Sequence, residues 1–185
     1  MPAPAVDPPA VEPTAALAAT RTNTGATIAE LSQRTPVLLV FLRHSGCTFC
    51  REALADLAQQ RAALEKAGTQ LVLVHLSDDA SFGAFAAGYG LGDVPRVSDP
   101  ERTLYRALGL RRASFWELLS PHVWWRGFQA AILEKHGFGG AQGDVAQMPG
   151  AFLIRDGRAV AGHMHRSPAD RPDYLEVCQF PPRAA

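Results

Sequence analysis

The sequence predicts a single α/β domain, a central mixed β-sheet flanked by helices and carrying a helical insertion. Three features carry this expectation. Residues 37–42 are a short, unbroken apolar run rich in β-formers, and residues 71–76 repeat the pattern around His75, as expected of parallel strands covered on both faces. Between them, residues 51–66 hold neither proline nor glycine and space Leu54, Leu57, Ala58 and Leu64 along one helical face. Strand, helix and strand form a βαβ unit whose crossover should be right-handed. Late in the chain, residues 151–154 and 159–164 flank Asp156-Gly157, a dipeptide suited to a tight hairpin, which adds antiparallel strands to the sheet.

The remaining elements are punctuated by caps and breakers. Ser77, Asp78 and Asp79 offer caps for a helix bearing Phe82, Phe85, Ala86 and Tyr89, with Gly90 as its stop. Residues 94–98 read as a short strand. Asp99-Pro100 then supplies a cap and an N1 proline for a helix carrying Leu104 and Leu108 and ending at Gly109. From about 111 to 147 the alternation breaks. This insertion holds Trp116, Trp124 and Trp125 and leaves through the glycine-rich Gly137-Phe138-Gly139-Gly140, so it is expected to be helical with a flexible exit. Its tryptophans either pack in the core or shape a cleft or partner surface. A short helix is expected around residues 172–178. The proline- and alanine-rich residues 1–22 read as a disordered tail, 23–180 as the folded domain and 181–185 as a C-terminal tail.

Composition narrows the function. Lysine plus arginine equals aspartate plus glutamate at 18 each, so the basic excess that phosphate backbones or anionic membranes call for is missing, and no nucleic-acid partner is expected. No apolar run approaches the roughly 20 residues of a membrane helix. The proline-interrupted start lacks the basic and apolar segments of a secretory signal, so no membrane partner and a cytoplasmic location are expected. Hydrophobic residues make up 47% of the chain, enough for a full core without disulfides. Three cysteines are too few for a secreted disulfide framework, but two of them form a C-x-x-C pair, which suggests redox chemistry or metal binding.

That pair, Cys47-Thr48-Phe49-Cys50, follows the first strand and opens the first long helix. Unsatisfied N–H groups and the helix dipole stabilise a thiolate there, so Cys47 should ionise more readily than an ordinary thiol of pKa about 8.5. Arg43 and His44 stand just upstream and add positive charge. Cys50, one helical turn on, is in reach to displace an adduct formed on Cys47, making the two a nucleophile and a resolver. Two other readings use the same residues. A zinc site would join the pair to His44, or to His163 and His165, which point the same way from a strand on either side of Met164. A redox sensor would use the disulfide to switch the tryptophan-rich insertion between partner-binding states. The strand-to-helix placement favours redox chemistry with no bound metal.

Phe41-Leu42-Arg43-His44-Ser45-Gly46-Cys47-Thr48-Phe49-Cys50-Arg51-Glu52 resembles the F-x-R-H-x-G-C-x-x-C-R-E signature of AhpC/TSA-type peroxiredoxin-like proteins, which selenoprotein U-like proteins share. Asp99-Pro100 with Leu104-Tyr105-Arg106-Ala107-Leu108-Gly109 is similar to the peroxiredoxin D-P-x…Y-x-x-L-G segment, and the resemblance spans about residues 24–177. It implies a thioredoxin-like fold and a thiol-dependent antioxidant oxidoreductase acting on peroxide or disulfide substrates. In that reading Cys47 is the peroxidatic nucleophile, Cys50 resolves, and Arg43 and His44 assist. Thr48, Phe49, Met148 and Pro149 form the substrate groove. No cofactor is implied; an external dithiol of thioredoxin or glutathione type is the reductant, and a homodimer is one assembly open to it.

In thioredoxin folds a cis-proline occupies the place of Pro149, and the combination with C-x-x-C makes a cis Met148–Pro149 bond the expectation. Proline statistics alone favour an ordinary trans bond at a strand start, since only about 5–6% of X–Pro bonds are cis. The resemblance also departs from the typical peroxiredoxin pattern. His44 stands where a threonine or serine precedes the reactive cysteine, and Pro149-Gly150 stands where a late arginine is expected. Other residues receive plainer readings. Cys178 reads as a small buried hydrophobe, His75 as a satisfied core histidine, His163 and His165 as surface or edge residues, and Arg102, Arg106, Arg111 and Arg112 as a solvated face.

Overall fold

The computed structural model describes residues 12–43, 48–112, 146–165, 170 and 172–179. His44, Cys47 and the tryptophan-rich part of the insertion lie outside the described residues. Five strands form one mixed sheet: β1 (Val37–Phe41), β2 (Gln70–His75), β3 (Arg96–Ser98), β4 (Gly150–Arg155) and β5 (Arg158–Met164). Their order is β3-β2-β1-β4-β5. β1 runs parallel to β2 with Leu39 opposite Val72, and β2 runs parallel to β3 with Val74 opposite Val97. β4 lies antiparallel on the other side of β1, and β5 closes that edge.

The central strand β1 is buried at every position, which explains its continuous apolar sequence. Alternate residues serve two cores. Leu39 and Phe41, with Val72, Val74, Phe152 and Ile154, pack under α1 (Pro13–Ala19), α2 (Ile28–Arg34) and α5 (Thr103–Ala107). Leu38, Val40 and Leu42, with Leu71, Leu73 and Ala151, pack under α3 (Thr48–Lys66), α4 (Asp79–Ala87) and α6 (Tyr174–Cys178). The fold class expected from sequence is therefore the one observed.

Three local expectations are corrected. Residues 13–19 lie inside the stretch read as a disordered tail, yet they form α1, with Pro13 in its first turn and Ala16 and Leu17 buried. Proline at that position suits a helix start because its missing N–H has no intrahelical partner to lose. Pro100 is not the first residue of α5; it sits in a turn and the helix begins at Thr103. Asp99 still caps that helix, from one turn further out, by accepting the Thr103 and Leu104 N–H groups at 2.9 and 2.8 Å. The Met148–Pro149 bond is trans, since no cis peptide bond occurs among the described residues. The backbone enters β4 extended: the Met148 N–H donates to Arg111 O at 3.1 Å, and Arg112 pairs with Gln147 in an antiparallel bridge. No tight turn that would call for a cis bond lies on this path.

The Asp156-Gly157 turn appears as expected. Asp156 and Gly157 have φ of 49° and 72°, the two left-handed positions of a type I′ hairpin. Asp78 caps α4 by accepting the Ser81 N–H at 2.8 Å, and Asp173 caps α6.

Candidate active site at the start of helix α3

The site is built where β1 runs out and α3 begins. Beyond Phe41 the chain stays fastened to β2: the Leu42 N–H donates to Val74 O at 2.8 Å, and Arg43 O accepts from the Leu76 N–H at 3.0 Å. The Arg43 N–H turns the other way and donates to the sulfur of Cys50 at 3.3 Å. Cys50 is buried in the first turns of α3, only 3% exposed, and no disulfide occurs among the described residues. Thr48 is buried beside it, and Phe49 is partly buried against the α3-side core.

Cys50 opens onto a small recess that it shares with Arg43, Phe49, Glu52, Pro149 and His165. Glu52 is 2% exposed, so a carboxyl group lies at the edge of the thiol's surroundings. Pro149 is where the sequence argument places it, beside the C-x-x-C segment, although its bond is trans. Met148 is buried, and its side chain lines a neighbouring depression instead of this recess. Of the residues expected in the site, Arg43, Phe49, Cys50 and Pro149 come together in the recess. Thr48 stands in the same helical turn as Phe49 and Cys50.

Several contributors were missed by sequence reasoning. His165 is buried, contrary to the expected edge position, and among the described residues its Nδ1 has no hydrogen-bond partner. Burial drives its pKa down from 6.5 to about 4, against the pull of Asp170 and with help from His163 and Arg43. His163 bonds Asp170 at 3.1 Å and meets the His165 ring edge-on at 5.5 Å. The two-residue spacing of the histidines put them on one face of β5; only the end of the strand, where Pro149 O accepts the His165 N–H at 3.3 Å, buries the second. Tyr105 is fully buried beneath the site, edge-on to Phe41 at 4.8 Å, with its hydroxyl donating to Leu42 O. The Y-x-x-L-G resemblance pointed to this tyrosine without giving it a task.

The other histidine, His75, is a core residue held mainly by packing. It stacks on Phe82 at 3.9 Å, and its Nε2 lies 3.8 Å from the Asp79 carboxylate. Cys178 is half-buried and packs against the same core as Cys50, and burial raises its thiol pKa. Among the described residues, no group of three or more His, Cys, Asp and Glu side chains is arranged to hold a metal, and no helix is long and apolar enough to cross a membrane.

Comparison with known proteins places this geometry. The family model for the AhpC/TSA antioxidant enzymes matches residues 56–167, a stretch that begins just after the C-x-x-C pair. Peroxiredoxin-like 2C of Bos taurus is 28% identical over 164 residues, covering 80% of this chain and 67% of the relative. The human peroxiredoxin-like 2C is 28% identical over 160 residues, covering 77% and 67%. Among solved structures, peroxiredoxin Q of Xanthomonas campestris superposes with a TM-score of 0.59 at 16% identity, covering 86% of this chain and 88% of that one. At that identity the likeness concerns the fold, a peroxiredoxin and thioredoxin-type arrangement.

Proposed function

The chain belongs to the AhpC/TSA antioxidant-enzyme family, and from that premise we propose that it is a thiol oxidoreductase that reduces peroxide or disulfide substrates by cycling Cys47 and Cys50 between dithiol and disulfide. The observation that carries the reading is Cys50 itself. It is a buried thiol at the start of a 19-residue helix, held by a main-chain N–H and facing a recess bordered by Arg43, Pro149 and His165. A sulfur placed this way is shielded from bulk oxidant and suits a resolving role, whereas Cys47, which precedes the helix in sequence, suits the attacking one.

With a hydroperoxide, the Cys47 thiolate attacks one peroxide oxygen, the O–O bond breaks, and an alcohol or water leaves once the departing oxygen is protonated. Cys50 then loses its proton and attacks the Cys47 sulfenic sulfur; the S–S bond forms and water departs. An external thiol reductant, one dithiol of thioredoxin type or two thiols of glutathione type, exchanges with the disulfide, is itself oxidised to a disulfide, and returns both thiols. With a disulfide substrate the first adduct is a mixed disulfide and the leaving group a thiolate. A cytoplasmic setting, where dithiol reductants keep thiols reduced, suits the cycle.

Stopped-flow oxidation of the reduced protein by hydrogen peroxide, an organic hydroperoxide and a small disulfide tests the proposal. Cys50→Ser should still react once and stop as a sulfenic acid or mixed disulfide, while Cys47→Ser should lose the fast reaction. Fast oxidation surviving in Cys47→Ser would reverse the roles, and no reaction with any of the three oxidants would end the reading.

A further inference from the structure

One peptide group links two side chains that the sequence holds far apart. The carbonyl of Leu42 accepts the Tyr105 hydroxyl, and the N–H on the other side of the same amide, that of Arg43, donates to the Cys50 sulfur at 3.3 Å. Tyr105 and Cys50 are thus bonded to opposite ends of a single amide plane. That plane cannot easily turn. Leu42 N–H is tied to Val74 O at 2.8 Å and Arg43 O to the Leu76 N–H at 3.0 Å, so both flanks are locked to the β2 side of the sheet.

We infer that Tyr105 is a positioning residue for Cys50, its hydroxyl holding and polarising the Leu42–Arg43 peptide so that the N–H is presented to the Cys50 sulfur as that sulfur becomes a thiolate. A hydrogen bond offered to the charged form favours that form. Donation into an amide's carbonyl strengthens donation from its N–H, because bonds in a chain polarise one another in a low-dielectric interior. The inference takes from the proposed function only that Cys50 is a working thiol.

The rest of the segment fits this task. Tyr105 is fully buried, and its hydroxyl reaches a second carbonyl, Val74 O, at 3.3 Å, so the phenol is fixed on the two strands that frame the site. Asp99 holds the start of α5 through the Thr103 and Leu104 N–H groups, and the Asp99 N–H is itself tied to His75 O at 2.8 Å at the end of β2. The phenol remains protonated at any physiological pH, since burial, the Asp99 carboxyl and Cys50 all oppose its ionisation, with Arg43 as the one opposing charge. It is therefore a constant donor. The aspartate and tyrosine of the D-P…Y segment acquire a joint role: the first anchors the helix that carries the second.

The test is a thiolate titration by ultraviolet absorbance in a Cys47→Ser, Cys178→Ser background, in which Cys50 is the one thiol of the chain. Tyr105→Phe should raise the apparent Cys50 pKa by about half a pH unit, roughly a threefold loss of thiolate below the pKa. Site-specific 3-fluorotyrosine at 105, a more acidic and so stronger donor of nearly the same shape, should lower it. Opposite movement in the two proteins is a signature that a merely structural tyrosine would not produce. If Tyr105→Phe fails to fold, the fluorinated protein decides alone. An unchanged titration in the fluorinated protein, or movement of both variants in the same direction, overturns the inference. A wild-type chain that fails to turn over any oxidant while the tyrosine series still moves Cys50 would sink the proposed function and leave this link standing.

Discussion

The main-chain N–H of His165 donates to the carbonyl of Pro149 at 3.3 Å, which brings an imidazole from the end of β5 to the entrance of β4 and into the recess that holds Cys50. Asp170, His163 and Arg43 are the charged and titratable neighbours that act on this ring; burial, aided by His163 and Arg43, outweighs the pull of Asp170. The imidazole is therefore neutral at physiological pH. A buried polar atom without a partner costs on the order of 1–3 kcal/mol, so the recess carries a local destabilisation at the site of its chemistry.

Acid should destabilise the fold through His165 and His75 together. Each has its pKa lowered from 6.5 to about 4, with burial the leading cause, and for His75 the neighbouring charges are Asp79, Arg96 and Asp78. The folded chain then binds fewer protons than the unfolded one between those values. Stability is fully present above about pH 6.5 and is lost as pH falls toward 4. The loss between pH 7 and 5 should be about 2 kcal/mol for each ring. His75→Phe, which preserves the stack on Phe82, should remove about half of that drop in urea unfolding at pH 5, 6 and 7. A variant with the same pH dependence as wild type would show that His75 is not one of the groups responsible.

How much of this was legible in the sequence varied with how local the cause is. The runs at 37–42 and 71–76 declared themselves because both faces of β1 and β2 are covered, leaving His75 as the one polar residue in either run. The hairpin was readable because a two-residue turn with both φ angles positive selects Asp-Gly. His165 was not readable, since its burial depends on Pro149, Cys50 and α3, which reach it only through the sheet. The Tyr105 contact with Leu42 spans 63 residues of chain and exists because α5 packs under β1, a fact of topology that no local pattern carries. Nor does a Met-Pro dipeptide encode which isomer its surroundings select.

Helix α1 was misread because its composition resembles that of the tail before it, and its single large core residue is the point to test. Leu17 is fully buried in the cluster that also holds Leu104 and Leu108. Leu17→Ala should cost about 2–4 kcal/mol in denaturant unfolding, the usual range for a buried leucine in a cavity that collapses only in part. A loss below about 0.5 kcal/mol, the scale of a surface substitution, would mean that α1 adds nothing to the core.

The sheet's outer edge offers the last test, at Gly162. Replacing a strand glycine by alanine ordinarily gains about 0.5–1 kcal/mol, because the unfolded chain has fewer conformations to lose. Here the opposite sign is expected. Gly162 lies opposite Phe152, and a Cβ built on it would stand 2.5 Å from Cδ1 and 2.8 Å from Cε1 of that ring. The ring itself is only 7% exposed and packs edge-on to Phe41 at 5.8 Å, within the core beneath Tyr105, so it cannot swing away without disturbing the floor of the site. Gly162→Ala should therefore cost about 1–3 kcal/mol, the range for overpacking. Phe152→Leu, which shortens the side chain, should be destabilising on its own but should make room for the new methyl group. The double variant should then lose less than the sum of the two single losses, by about 0.5 kcal/mol or more, as expected for residues in direct contact. Strict additivity would show that the Gly162 main chain moves aside instead, and that the ring is not what requires a glycine there.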